Sequence, residues 1–317
     1  MTRVVVARVL PDAALAELAP LGEVWVSGED RALAPAELHD AVRGADAVVT
    51  MLHDRVDDAF LDAAGPGLRV VANVAVGYDN VDVEACRRRG VVVTNTPGVL
   101  VDATADLAFA LLLGVTRRVR EGDALLRDGT PWTWSMSFML GTGLQGRRLG
   151  VVGFGRIGQA VARRALAFGM SVAYTARHDV TDPEAPPAVR LPLEELLATS
   201  DVVSLHCPLT PQTRHLIDGD ALRSMRPGAF LLNTSRGPVV DEAALAEALR
   251  EGWIAGAGLD VFEREPAVHP GLLDAPNVLM TPHLGSATHE TREAMAVLAA
   301  RNVSDVLGGR PARSPVT

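Results

Sequence analysis

Three residues in this sequence, each placed just beyond an apolar run, have the types and spacing to do chemistry together. His283 stands in NVLMTPHLGSAT, Arg236 in LLNTSRGPVV and Glu265 in GLDVFEREP. An imidazole exchanges protons near neutral pH. A carboxylate beside it stabilises the imidazolium, and a guanidinium can clamp a substrate carboxylate through two parallel hydrogen bonds. These are the parts needed to protonate a carbonyl oxygen on a small acid while a second agent reduces the carbon. Each has a rival: His206, at the end of DVVSLHCP, for the acid, Glu263 and Asp260 for its partner, and a simple helix cap as the role of Arg236. Only strand order decides among them.

The second agent is suggested by GFGRIG, which follows the strand-like RRLGVV and opens the helical RIGQAVARRALAFG. Gly153 and Gly155 allow a tight turn and close approach to a pyrophosphate, Gly158 lets helix pack on strand, and Arg156 and Ile157 begin the helix whose N–H groups face the phosphates. The next strand, SVAYT, ends at Thr175 and is followed by Arg177 and His178 rather than by a carboxylate. A guanidinium there suits a ribose 2′-phosphate. NADP(H) is therefore expected, with NAD(H), held by Asp179, as the alternative.

Elements that could position such residues are visible as β-branched runs alternating with Ala/Leu/Glu-rich stretches. VVVARV, DAVVTM, RVVANV and VVVTNTPG form a first βαβ series; RRLGVVGFG, SVAYT, DVVSLH, AFLLNTS, AGAGLDVF and NVLMTPH form a second, of about six strands. Between them DATADLAFALLLGVTRRVREGDALL reads as one long helix capped by Asp102 or Thr104. The fold class expected is α/β with two doubly wound parallel-sheet domains, each Rossmann-like. A chain of 317 residues, 48% of them hydrophobic, has room for both.

The net charge of −9 argues against a nucleic-acid partner. Cys86 and Cys207 are the only cysteines and lie in no metal-spaced cluster, so neither a metal nor a disulfide framework is expected. MTRVVVARVL reads as a strand rather than a leader, and Leu107 to Val115 falls short of the ~20 residues of a membrane span. A cytoplasmic protein without a membrane partner is expected.

Taken together, GFGRIG, NTSRGPVVDEAAL, AGLDVFEREP and TPHLGSATHETR closely resemble the D-isomer-specific 2-hydroxyacid dehydrogenase family, nearly end to end. YTARHD and GSATHETR look most like its glyoxylate/hydroxypyruvate reductase branch. The resemblance implies His283 as proton donor, Glu265 as its partner and Arg236 as the substrate-binding arginine. It implies that Val76 and Gly77 offer N–H groups to the substrate carboxylate, that Asp260 faces the nicotinamide, and that Thr104, Pro208, Thr234 and Gly285 line the cofactor. Phe138 stands where that branch often carries a tryptophan beside the substrate.

The resemblance further implies a substrate domain of residues 1–98 plus 285–317, a dinucleotide domain of 99–284, and a substrate cleft between them. It implies a homodimer, with the loop near 131–143 directed at the partner. Two other readings stand beside reduction of glyoxylate or hydroxypyruvate. One is an NAD-linked dehydrogenase of lactate or phosphoglycerate; the other is a nucleotide-sensing corepressor-like protein without catalysis.

Overall fold

The computed structural model describes residues 1–316 and divides them into two compact units, Met1–Leu100 with the C-terminal segment from Ala287, and Val101–Ser286. These boundaries lie two residues beyond those expected from the sequence on each side.

In the first unit the strands are β1 (Arg3–Val6), β2 (Glu23–Val26), β3 (Ala47–Thr50), β4 (Val70–Asn73) and β5 (Val92–Thr94), all parallel in the order β2-β1-β3-β4-β5. Both faces are covered, which is why the strands read as unbroken valine runs. Val5, Val48 and Val71 enter one apolar cluster while Val4, Val6, Ala47 and Val70 enter another, as the period-two alternation of a strand requires. The second cluster is completed by Ala296, Ala299, Ala300 and Val303 of the helix His289–Leu307. Thr288 caps that helix by accepting from Thr291 N–H. The strand β2 was not singled out in the sequence; EVWV is short and only half-buried, so its apolar pattern is weak.

The second unit carries β6 (Arg148–Val152), β7 (Ser171–Thr175), β8 (Val189–Arg190), β9 (Val202–Leu205), β10 (Phe230–Asn233), β11 (Gly256–Leu259) and β12 (Val278–Met280). Their order is β12-β11-β10-β9-β6-β7-β8, all parallel. The sheet reverses its direction of growth between β6 and β9, the place where doubly wound folds bind their ligands. Seven strands stand where about six were expected, because the exposed two-residue β8 adds an edge that no hydrophobic pattern announces.

The expected single helix after residue 100 is two, Val101–Thr116 and Val119–Arg127. Arg118 breaks it with a left-handed backbone (φ 54°) and pairs with Glu121. Nor does Thr104 cap the first helix: it is buried within it and donates to Gly285 O at 3.1 Å.

Leu231, fully buried in β10, packs on one face of the larger sheet, and Leu232 on the other. Leu231→Ala should lower the unfolding free energy by about 2–5 kcal/mol in a denaturant titration; a change below about 1 kcal/mol would show that this face is not close-packed.

Candidate active site

Register places the ends of β11 and β12 side by side, Leu259 opposite Met280. The chain beyond each strand is then drawn together by one buried carboxylate. Asp260, 1% exposed, accepts from Thr281 Oγ1 at 2.6 Å, Leu284 N–H at 2.7 Å and Gly285 N–H at 2.8 Å. Burial raises its pKa while these donors pull it back. The same residue's carbonyl accepts from His283 N–H at 2.8 Å, which helps hold His283 in a left-handed conformation (φ 54°) that a non-glycine residue seldom adopts.

Held this way, His283 presents Nδ1 to Glu265 Oε2 at 2.8 Å. The other oxygen of Glu265 accepts from Phe262 N–H at 3.0 Å, so the carboxylate is aimed by its own turn. Both side chains are mostly buried, 26% and 17% exposed. With Nδ1 engaged by a carboxylate, Nε2 is the ring atom that can exchange a proton with a ligand.

Arg236 follows β10, the strand next to β11. Its carbonyl accepts from Asn233 Nδ2 and its Nη1 donates to Ser235 O, both at 2.9 Å. Gly237 is required here, since a Cβ would fall 1.9 Å from the carbonyl carbon of Phe262. The backbone of Arg236–Gly237 thus lies against the turn that aims Glu265. Two glutamates lock the same junction: Glu263 N–H donates to Glu242 Oε1 at 2.7 Å and Glu242 N–H to Glu263 Oε1 at 3.0 Å. The sequence offers Glu263 only as a rival to Glu265 and gives no sign of Glu242, because reciprocal bonds between separate turns leave no local signature.

At the switch point of the larger sheet, GFGRIG forms the turn between β6 and the helix Arg156–Ala167. Gly153 has φ 93°, and a Cβ on Gly158 would lie 2.2 Å from Gly153 O, so a side chain at either would spread the turn. Nothing lies within 4 Å of a Cβ built at Gly155, where the helix begins, so ligand oxygens can reach the helix N–H groups there. The Thr234 hydroxyl is buried with no hydrogen-bond partner among the described residues, a donor free to meet a ligand acceptor. Thr104, Gly285 and Asp260 meet at one point, with Thr104 Oγ1 and Asp260 Oδ2 3.4 and 3.3 Å from a Cβ built at Gly285. Pro208 O accepts from Thr213 Oγ1 at 2.7 Å in the loop after β9. These features fit a dinucleotide.

Past β7, Arg177 and His178 are exposed, and Arg177 has no hydrogen bond or ion pair among the described residues. Asp179 is paired with Arg190, which also donates to Ala176 O at 2.8 Å. The rival His206 belongs to the glycine turn, not to Glu265: its carbonyl lies 2.7 Å from a Cβ built at Gly153, and its Nε2 is 2.8 Å from Ser204 Oγ. Burial pushes its imidazole down to about 4, which leaves it neutral where a proton donor would be needed.

Phe138 stacks on Trp132, ring centroids 6.0 Å apart, within its own loop. Val76 and Gly77 are in the first unit, beyond β4; their carbonyls accept from Asn95 Nδ2 at 2.8 Å and Asn73 Nδ2 at 3.1 Å, and their N–H groups lie outside the strand ladder. Among the described residues no group of His, Cys, Asp and Glu is arranged to hold a metal, and no helix is long and apolar enough to cross a membrane.

Residues 109–285 match the family model described as "D-isomer specific 2-hydroxyacid dehydrogenase, NAD binding domain". The chain belongs to the D-isomer specific 2-hydroxyacid dehydrogenase family. It is 49% identical to a glyoxylate reductase of Thermococcus litoralis over 95% of this chain and 92% of that one. Among solved structures, a protein from Thermus thermophilus is 50% identical with TM-score 0.93, covering both chains fully. An NADPH-dependent glyoxylate/hydroxypyruvate reductase from Sinorhizobium meliloti, solved with NADP and malonate, is 36% identical with TM-score 0.88, covering 100% of this chain and 97% of that one. Membership in this dehydrogenase family makes the chain an oxidoreductase.

The depressed imidazole of His206 has a consequence for stability. Its folded pKa of about 4 lies below the ordinary 6.5, so it favours folding fully above 6.5, and that contribution is lost as pH falls towards 4. His206→Asn should therefore flatten the loss of thermal stability between pH 6.5 and 4; an unchanged slope in that window would show that the ring is not buried neutral.

Proposed function

We propose that the chain reduces a small 2-keto acid, glyoxylate or hydroxypyruvate, to the 2-hydroxy acid with NADPH preferred over NADH. The observation that carries this reading is the 2.8 Å bond between His283 Nδ1 and Glu265 Oε2, on the chain leaving strands of the same sheet that carries the glycine turn. A nicotinamide, when bound, supplies the hydride. His283 gives its Nε2 proton to the alkoxide as it forms, and Glu265 compensates the charge of the imidazolium beforehand. Arg236 receives the substrate carboxylate and sets the keto carbon in register. In the first unit the N–H groups of Val76 and Gly77 are the substrate contacts, and in the second Phe138 is a further one.

Residues holding the cofactor are Gly153, Gly155, Arg156, Ile157 and Gly158 at the pyrophosphate, and Thr104, Pro208, Thr234, Asp260 and Gly285 along its length. Arg177 and His178 take the ribose 2′-phosphate. The exposure of Arg177, and the engagement of Asp179 by Arg190, support the phosphorylated cofactor. On this reading Val101–Ser286 is the dinucleotide domain and the remainder the substrate domain. The active form is a homodimer in a reducing cytosol, in keeping with two cysteines that are both buried and unpaired.

Oxidation of NADPH and NADH with glyoxylate and hydroxypyruvate tests the function directly, and absence of turnover with both acids refutes it. His283→Ala should lower kcat by about 10²–10⁴-fold while cofactor affinity, measured by fluorescence titration, stays within about twofold. Near-native turnover in that variant would remove His283 from the chemistry. Arg177→Ala should cut the NADPH-to-NADH ratio of kcat/KM by about tenfold or more, and an unchanged ratio would remove Arg177 from the recognition of the 2′-phosphate.

A further inference from the structure

The first unit holds a guanidinium whose donors are not all satisfied. Arg8 follows β1, and its Nε and Nη2 are buried without a hydrogen-bond partner among the described residues. A guanidinium is always charged and carries five donors in a fixed fork, so buried N–H groups of this kind are left unpaired only where something else completes them.

Their position is informative. The order β2-β1-β3-β4-β5 makes the gap between β1 and β3 this sheet's own switch point, and ligands of such sheets sit outside the carboxyl ends of the strands there. Arg8 is just past that end of β1. In register Val6 lies opposite Val49 and Val49 opposite Ala72, which puts Arg8 two strand spacings, roughly 10 Å, from the chain that continues beyond β4 into Val76 and Gly77. The turn after β3 carries His53 and Asp54. Asp54 is buried, 3% exposed, and spends one oxygen on Met51 N–H at 2.7 Å. It feels the charge of Arg8 but makes no hydrogen bond to it, so an ion pair does not account for the unpaired donors.

We propose that Arg8 is a specificity-determining residue that binds an oxygen on the third carbon of the keto acid, a hydroxyl or a carboxylate, at the carboxyl edge of the five-stranded sheet. This rests on the reductase reading above and on Val76 and Gly77 receiving the substrate's first carboxylate. Glyoxylate has no third carbon and cannot use the site; hydroxypyruvate has one bearing a hydroxyl. The contact orients the far end of the substrate and takes no part in hydride or proton transfer.

The test is steady-state kinetics of the full chain with NADPH, comparing hydroxypyruvate with glyoxylate in the wild type, Arg8→Met and Arg8→Lys. Arg8→Met should lower the hydroxypyruvate-to-glyoxylate ratio of kcat/KM by about 10–100-fold, mostly through the KM for hydroxypyruvate, as expected for loss of a charged hydrogen bond. Arg8→Lys should recover part of that ratio and, as the milder change, reports even if Arg8→Met folds poorly. A purely structural Arg8 that balances Asp54 would depress both acids by the same factor and be rescued by adding Asp54→Asn; that outcome, or an unchanged ratio in both variants, overturns the proposal. Failure of the wild type with both acids overturns the reductase reading itself and is seen before any variant is compared.

Discussion

The candidate site depends on a hydrogen bond of 2.8 Å between an imidazole and a carboxylate eighteen residues apart. It can exist only if β11 and β12 are neighbours in the right register, so that the chain leaving each strand begins from the same edge. It also needs His283 in a left-handed backbone conformation, which the hydrogen bonds of Asp260 enforce, and Glu265 turned back on Phe262. Loss of any one of these conditions leaves a histidine and a glutamate with no reason to meet.

What surrounds the pair is arranged to make it rigid rather than reactive. Asp260 is costly to bury, and three donors offset that cost. Gly237 allows the chain beyond β10 to press on the turn of Glu265, and the reciprocal Glu242 and Glu263 bonds fasten the two. A proton donor that need not reorganise as charge develops is the main contribution a protein can make to such a reaction. The glycine turn lies elsewhere on the same sheet, at its switch point, so one parallel sheet positions both the nucleotide turn and the acid.

Much of this was legible in the sequence because it is local. GFGRIG between an apolar strand and a helix can only be a tight turn, and residues such as Arg236 and His283, placed one step beyond apolar strands, advertise the carboxyl edge of a sheet. What was not legible is non-local or lies at weakly patterned edges. EVWV and the two residues of β8 carry too little pattern to be read. The break at Arg118 has neither proline nor glycine to mark it. The rivalry between His206 and His283 is not settled by residue type, since both follow apolar strands; only burial, which drives His206 down to about 4, and proximity to Glu265 separate them. Glu242 and Arg8 gave no sign because their meaning depends on partners, present or lacking, that only a folded chain reveals.

The most direct test of the pair as a working unit is the single-turnover rate of NADPH oxidation by glyoxylate in Glu265→Gln, which keeps size and hydrogen-bonding capacity but removes the charge. A fall of about 100-fold or more at unaltered NADPH affinity is expected. A rate within about twofold of wild type would show that His283 works without its carboxylate and that the pair is not a unit.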